Sequence, residues 1–91
     1  MATVAVMFKV DGEGVVPALQ QAGERLDNAN GQMVLDFSSV RRVNPAALCA
    51  MEEFARIAEG RGVKLALRGV HIDVYKVLKL AKLAPRFSFL S

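Results

Sequence analysis

The stretch of sequence that decides the fold is MVLDFSSVRRVNPAALCAMEEFARIAEGRGVKLAL, residues 33–67. Its first five residues and its last five are short apolar runs of the kind that form β-strands. Between them, the apolar positions from Ala47 to Ala58 cover one arc of a helical wheel, which predicts a helix that begins at Pro45 and ends at Gly60 or Gly62. A strand, a helix and a second strand of these lengths predict two parallel strands joined by a right-handed crossover.

The N-terminal side adds one strand and one helix. Residues 3–10 (TVAVMFKV) are rich in β-branched and apolar residues and predict a strand, which the turn residues 11–14 (DGEG) then interrupt. Pro17 fits only in the first turn of a helix, so the helix should start near Val15 or Val16 and end within residues 28–31. Its inward face is predicted to contain Val15, Leu19, Ala22 and Leu26.

The C-terminal side predicts a third helix over residues 72–82, which Pro85 prevents from continuing far. Its inward positions are predicted to be Val74, Val77, Leu78 and Ala81. The order β-α-β-α-β-α predicts an α/β fold, with a mostly parallel sheet and helices packed on it. We expect residues 1–91 to form a single domain, and the apolar strand Met33–Phe37 to be covered on both of its faces.

The amino-acid composition predicts a folded protein of the cytoplasm. Hydrophobic residues make up 53% and charged residues 23%, which indicates a packed core. A single cysteine, Cys49, excludes an internal disulfide bond and favours a reducing cytoplasm. No apolar run approaches the roughly 18 residues of a membrane span, and the start of the chain lacks the pattern of an export signal. We therefore expect a cytoplasmic protein.

The positive charge does not predict a nucleic-acid partner. The net charge is +3, but the basic residues are divided between Arg41-Arg42 and a C-terminal group. None of the six aromatic residues alternates with these basic residues as a base-stacking platform would require. The apolar side chains of the last helix are needed for the core, so solvated lysines are a better interpretation than membrane insertion. The C-terminal basic residues are Lys76, Lys79, Lys82 and Arg86.

Few residues are candidates for catalysis or metal binding, and these few are isolated from one another in the sequence. Asp36 ends a strand without a second carboxylate or base nearby in sequence, so we expect it to bind neighbouring backbone. Cys49 is interpreted as a spectator thiol on the polar side of its helix, and the single histidine, His71, as a capping or solvent-exposed residue. A phosphate-binding glycine loop, paired catalytic acids and a Cys/His cluster are all absent from the sequence. No enzymatic activity, cofactor or metal is expected.

From about residue 33 to residue 87, the sequence resembles the STAS domain, the family of anti-sigma-factor antagonists and related regulatory modules. The similarity is carried by the strand MVLDF, the segment VNPAAL at residues 43–48, Gly62, and the segment LAKL at residues 80–83. The resemblance implies a STAS-like fold and a non-enzymatic protein that acts by binding protein partners. Two departures stand out: only one strand fits before the first helix, where the family has two, and Lys82 occupies a position where glycine is usual. We therefore expect the last helix to end without its usual left-handed glycine cap.

The segment at the start of the second helix departs from the family in its chemistry. In family members that act as switches it reads Asp-Ser-Ser-Gly-Leu, and a partner kinase phosphorylates the first serine. By position, Asn44 corresponds to the aspartate, Pro45 to the phosphorylated serine, Ala46 and Ala47 to the next two residues, and Leu48 is retained. Since Pro45 has no hydroxyl group, the resemblance implies a partner-binding module that has lost its phosphorylation site.

Physical chemistry gives this segment a structural role as well. Asparagine is a strong N-cap, and proline is favoured at the first helical position, so Asn44-Pro45 makes a stable helix start. The alanines that follow would let a partner approach the backbone, and the positive helix end favours an anionic group. We call residues 41–48 the junction, and we predict a partner-docking surface made by Arg41, Arg42, Asn44, Pro45, Ala46, Ala47 and Leu48.

Three functions remain open from the sequence. The first is an anti-sigma-factor antagonist or partner-switch component, whose partner would be a kinase-like anti-sigma factor. The second is a small STAS subunit of a lipid-transport ABC transporter complex, whose partner would be the ATPase. The third is a sensor of a small molecule or nucleotide, with the helix start as its anion site.

Overall fold

The computed structural model describes residues 6–26 and 31–90 of the chain. Strands and helices alternate along these residues, and the four strands lie in sequence order in one sheet in which every neighbouring pair is parallel. The α/β fold predicted from the sequence is confirmed. The elements are β1 (Val6–Lys9), α1 (Val15–Glu24), β2 (Gln32–Asp36), α2 (Pro45–Gly60), β3 (Lys64–Arg68), α3 (Ile72–Leu80), a short 3-10 helix (Ala84–Arg86) and β4 (Ser88–Leu90).

The core lies on one face of the sheet. Alternate residues of β2 and β3 point to this face and pack with the buried residues of all three helices in one apolar cluster. On the opposite face, no helix of the described residues contributes to a core, and Met7 and Leu90 are exposed. The side chains of β2 are buried on both faces, as predicted, since Val34 and the neighbouring Ala66 on this opposite face are also buried. The helices of the described residues, however, pack only on the core face. The cluster includes Val15, Leu19, Met33, Leu35, Met51, Phe54, Leu65, Leu67, Val74 and Leu78.

The second helix has the bounds that the sequence predicts at its start, Pro45, and at its end, Gly60. Gly62 follows in the left-handed conformation, with a φ of 71°. The amide of Gly62 donates to the carbonyl of Glu59, and the amide of Val63 donates to the carbonyl of Ala58. These two bonds form a Schellman motif, which satisfies the last carbonyls of α2 and turns the chain into β3.

The third helix also ends in a left-handed residue, although the glycine that usually forms this cap is missing from the sequence. Lys82 has a φ of 62°, its amide donates to the carbonyl of Lys79, and the amide of Leu83 donates to the carbonyl of Leu78. The Schellman geometry is thus kept, and a lysine adopts the conformation that favours glycine. Because the helix stops at Leu80, Ala81 is exposed and not inward as predicted, whereas Leu83 is buried under the helix end.

We expect the Lys82→Gly substitution to raise the free energy of unfolding. A left-handed conformation costs a residue with a Cβ about 1–2 kcal/mol, part of which is offset by the greater freedom of glycine in the unfolded chain. The net gain should be about 0.5–1 kcal/mol, measured by urea unfolding. The control is Ala81→Gly: Ala81 has a φ of −79°, so this variant should lose stability. If both variants moved in the same direction, the left-handed strain at Lys82 would not be the cause.

Towards the two ends of the chain, the boundaries of the helices and strands differ from those predicted from the sequence. Helix α1 ends at Glu24, earlier than predicted, after Gly23 weakens its last turn. Strand β4 was not predicted, and it follows a one-turn 3-10 helix that contains Pro85. Parts of the predicted first strand and of the predicted end of α1, residues 3–5 and 28–30, lie outside the described residues. In the part of the chain that the structure describes, no helix is both long enough and apolar enough to cross a membrane.

Candidate partner-binding site

The junction lies at the edge of the sheet where the strands have their carboxyl ends. Because all strand pairs are parallel, the loops after β1, β2 and β3 meet at this edge. Strand β2 has β1 on one side and β3 on the other, so the loop after β2 lies between the other two. The junction, which completes this middle loop, is therefore held by neighbours on both sides.

The middle loop is anchored by side chains that point into the core. Phe37 and Val40 are fully buried, and the amide of Val40 donates to the carbonyl of Phe37 over 2.9 Å. Val43 packs against the core from a partly buried position, whereas Arg41 and Arg42 are exposed. The loop thus presents two guanidinium groups to solvent from a fixed backbone.

Asp36 stabilises the first turn of the same loop. Its Oδ1 accepts a hydrogen bond from the amide of Ser38 over 2.9 Å, as the sequence analysis predicted. Hydrogen bonds from the backbone and side chain of Ser38 hold the pKa of the Asp36 carboxyl below its usual value. Burial opposes this effect, and the charges of Arg68 and Lys9 add smaller contributions that lower the pKa. Asp36 is a structural carboxylate that shapes the turn.

The start of α2 is capped by the asparagine that the sequence singled out. Oδ1 of Asn44 accepts a hydrogen bond from the amide of Ala47 over 2.7 Å, and the carbonyl of Asn44 accepts from the amide of Leu48 over 3.0 Å. Pro45 occupies the first helical position, where the absence of an N–H has no cost. The first turn contains no acidic side chain, so the positive end of the helix is not compensated from within the helix.

Contacts between the three loops hold the segment Ser38-Ser39, which leads into the junction. An added Cβ on Gly12, in the loop after β1, would lie 1.9 Å from the carbonyl oxygen of Ser39. From the loop after β3, Gly69 approaches Ser38 in a left-handed conformation, and Nε2 of His71 lies 3.0 Å from the carbonyl oxygen of Ser38. His71 thus bridges two loops and makes no side-chain capping bond.

These inter-loop contacts were missed by the sequence analysis. The turn pattern around Gly12 showed that a loop was present, but it carried no information on which backbone would approach it. The same holds for His71, whose ring contacts a residue 33 positions away.

The structure divides the predicted docking residues into two groups. Arg41, Arg42, Asn44, Pro45 and Ala46 are exposed, and together they form a continuous segment at the start of α2. The other two point inward: the side chains of Ala47, which is 3% exposed, and Leu48 pack with the core. The exposed part of the predicted docking surface is therefore narrower than the sequence predicted, because the helical turn directs residues 47 and 48 towards the sheet.

The concave surface beside the junction is small. A depression of about 190 Å³ lies between the loop after β1 and the junction, and Glu13, Arg42 and Asn44 are among its lining residues. Sites for small organic molecules usually occupy roughly 300–1,000 Å³. The shape of the junction suits contact with a protein surface better than enclosure of a nucleotide.

The remaining candidate residues do not form a reactive cluster. Cys49 is exposed and lies beside Glu52, Glu53 and Arg56, on the polar side of α2 as predicted. Among residues 6–26 and 31–90, no group of three His, Cys, Asp or Glu side chains is arranged to hold a metal ion.

Comparisons with known proteins identify similar sequences and folds. A family model described as "Mlab, STAS domain" matches residues 3–87. The NMR structure of the protein TM1081 matches with a TM-score of 0.75 at 16% sequence identity, covering 93% of this chain and 72% of that chain. A crystal structure of a candidate anti-sigma factor antagonist, tm1081 from Thermotoga maritima, matches with a TM-score of 0.72 at 16% identity, covering 100% of this chain and 75% of that chain. No curated protein matches the sequence.

Proposed function

The chain belongs to the STAS domain family, and from this membership we propose that it is a non-enzymatic regulatory protein that acts by binding a protein partner through the junction. The observation that carries the proposal is the exposed helix start, Asn44 to Ala46, which the Asn44 cap bond orders and which follows a loop that neighbouring loops hold in place. A fixed, exposed segment with small side chains can contact a partner with little loss of conformational entropy.

The first candidate for its role is an anti-sigma-factor antagonist or another partner-switch component. A structure of similar fold is described as a candidate for that function, which supports this role at the level of the fold. Pro45 and Ala46 cannot accept a phosphate, so phosphorylation at the helix start cannot release the partner. Binding in the cytoplasm would then depend on the nucleotide state of the partner or on the abundance of this chain.

A second candidate is a small STAS subunit of a lipid-transport ABC transporter complex. The observation that favours it is the description of the matching family model, which carries the name Mlab. In this role the junction would contact the ATPase of the complex. A small-molecule sensor is less well supported, because the depression at the junction has only about 190 Å³.

Co-purification from the native cell tests the proposal and separates its two forms. The full chain would be tagged and captured beside its Ala46→Arg variant, and only proteins that depend on Ala46 would be counted as junction partners. Recovery of a kinase-like anti-sigma factor supports the first role, and recovery of an ABC ATPase supports the second. If every captured protein bound equally to the variant, the junction would not be the docking surface and the proposal would fail.

A further inference from the structure

The net positive charge of the protein arises from its C-terminal part. Residues 1–70 contain eight basic and eight acidic side chains, whereas residues 71–91 contain four basic side chains and one acidic side chain. The net charge of +3 is therefore the charge of α3 and the segment after it. Such a concentration produces a local field that the rest of the chain, which is balanced, does not produce.

The lysines of this region have no carboxylate partners among the described residues. Among residues 6–26 and 31–90, an ion pair joins Arg56 to Glu53 on α2, and none within 4.0 Å involves Lys76, Lys79 or Lys82. Lys76, Lys79 and Lys82 are exposed and lie on α3 or directly after it. Their charges are available to a ligand from outside the protein.

Two of these lysines, Lys79 and Lys82, border a hollow with an aromatic wall. Its volume is about 540 Å³. The rings of Tyr75 and Phe89 form its wall in an edge-to-face arrangement, with centroids 5.0 Å apart and an interplanar angle of 83°. The other residues that line it are Lys79, Lys82, Ala84 and Pro85.

The outer face of α3 is also unusually apolar for a solvated helix. Leu80 is 84% exposed and Ile72 is 65% exposed. They lie eight residues apart, on the same side of the helix as Lys76. Surfaces that bind other proteins often place exposed apolar side chains beside charged ones, as here. Single apolar residues scattered over a surface would not indicate binding.

The conformation of Lys82 gives an independent indication. This residue bears a left-handed backbone that glycine would adopt with less strain, and its side chain borders the hollow. Strained residues persist more often where their side chains serve a function.

We propose that the surface formed by Tyr75, Lys76, Lys79, Leu80, Lys82 and Phe89, here called the basic surface, binds an acidic segment of a partner protein. In this complex, carboxylates of the segment pair with Lys79 and Lys82, and one apolar or aromatic side chain between them enters the hollow. The unpaired lysines are the reason to expect an acidic segment, and the aromatic wall of the hollow is the reason to expect an apolar or aromatic side chain in it.

Two other anionic occupants fit the geometry less well. A membrane surface is flat and would leave the hollow unfilled, and α3 directs its inward apolar residues into the core. Single-stranded nucleic acid stacks its bases on open ring faces, but Tyr75 and Phe89 are packed against each other edge to face. A side chain of a protein segment can enter the hollow while carboxylates beside it reach Lys79 and Lys82 at its border.

The basic surface is separate from the junction. Since β3 and β4 are parallel, α3 runs from the carboxyl ends of the strands, where the junction lies, back to their amino ends. Lys79 and Lys82 stand at the far end of that helix. The proposal therefore does not depend on what the junction binds.

The test uses the full chain and a fluorescent synthetic peptide of glutamates and aspartates with a central Leu-Phe pair. Amide chemical-shift mapping should place the peptide on α3 and β4. The Lys79→Glu/Lys82→Glu variant should bind about tenfold more weakly, because each position exchanges an attraction for a repulsion. A peptide with Gly-Ser in place of Leu-Phe should also bind about tenfold more weakly, because it cannot fill the hollow.

The matched control is the Lys9→Glu/Lys64→Glu variant. Lys9 and Lys64 are exposed on β1 and β3, outside the basic surface. This control variant therefore has the same net charge as the Lys79→Glu/Lys82→Glu variant but an intact basic surface. It should keep the affinity of the unmodified protein within about twofold at moderate salt. Thermal unfolding of both double variants would show that each is folded.

Several outcomes would overturn the proposal. Equal weakening in both double variants would show a dependence on net charge alone. Chemical shifts confined to residues outside α3 and β4 would show a different site. Phosphatidylserine vesicles or oligodeoxythymidylate would be tested in parallel: if either bound more tightly than the peptide and lost binding in the Lys79→Glu/Lys82→Glu variant, the occupant would be a membrane or a nucleic acid and not a protein segment.

Discussion

Replacing Gly12 by alanine should lower the free energy of unfolding by about 3 kcal/mol, because the added methyl group has no space. Its Cβ would lie 1.9 Å from the carbonyl oxygen of Ser39 and 2.9 Å from the carbonyl carbon. Both atoms belong to the backbone, so a side-chain rotation cannot relieve the contact, and one of the two loops must move. A domain of this size has a stability near the low end of roughly 5–15 kcal/mol, so the loss would be a large part of the total.

The measurement is equilibrium unfolding in urea, with Gly60→Ala as the control. Gly60 lies in the last turn of α2 and has no atoms within 4 Å of the position of an added Cβ. Alanine should be neutral or slightly stabilising there, since it favours the helix. A Gly12→Ala variant as stable as the unmodified protein would show that the loop contact does not constrain the junction.

The Ala46→Arg variant should lose about a hundredfold in affinity for the partner recovered through the junction, which corresponds to roughly 3 kcal/mol. Ala46 is exposed in the first turn of α2, between Pro45 and the buried Ala47. A long cationic side chain at this position would prevent close approach of the partner backbone, and it would place an unpaired charge in the contact. The fold should be unaffected, because an exposed helical position accepts arginine with a change of about 0.5 kcal/mol or less.

The affinity would be measured by titration calorimetry with the purified partner. Gln21→Arg is the matched control, since it adds the same side chain to an exposed position of α1. This control variant should bind as the unmodified protein does. If Ala46→Arg also left the affinity unchanged, the partner would bind elsewhere on the chain.

The central strand–helix–strand unit was predictable because its signals are local. Asn44 and Pro45 define the start of α2 through bonds within one turn, and Gly62 defines its end through backbone conformation. The spacing of apolar residues in α1 and α2 gave their buried faces. In each case the information is contained in neighbouring residues, and tertiary packing did not override it.

The features that were not predicted depend on contacts between distant residues. Strand β4 has three residues, too few for a periodic signal, and it exists because β3 offers a free edge. The apolar run in β2 predicted a strand buried on both faces, which it is, but it did not show that the helices of the described residues all pack on one of them. At Lys82 the geometry of the helix end overrode the residue preference, so the left-handed cap formed without glycine.

The candidate site was predictable in position and less so in extent. Sequence reasoning located the helix start and its cap, and the structure shows the cap bond at 2.7 Å. The predicted docking surface also included Ala47 and Leu48, which the helical turn directs inward. The sequence prediction did not include Gly12 or His71, which hold the loop after β2 only because three loops meet at this edge of the sheet.

The sequential strand order has a consequence for how the molecule opens. Each strand pairs only with the strands before and after it in the chain, so successive β–α units stack as the repeats of a solenoid do. Stability in such an arrangement is shared between neighbours, and an outer unit can unfold while the inner units stay folded. The junction belongs to the inner unit and the basic surface to an outer one. Unfolding of that outer unit would abolish the basic surface and the contact of His71 with Ser38, while the Asn44 cap and the contact of Gly12 with Ser39 would still hold the junction.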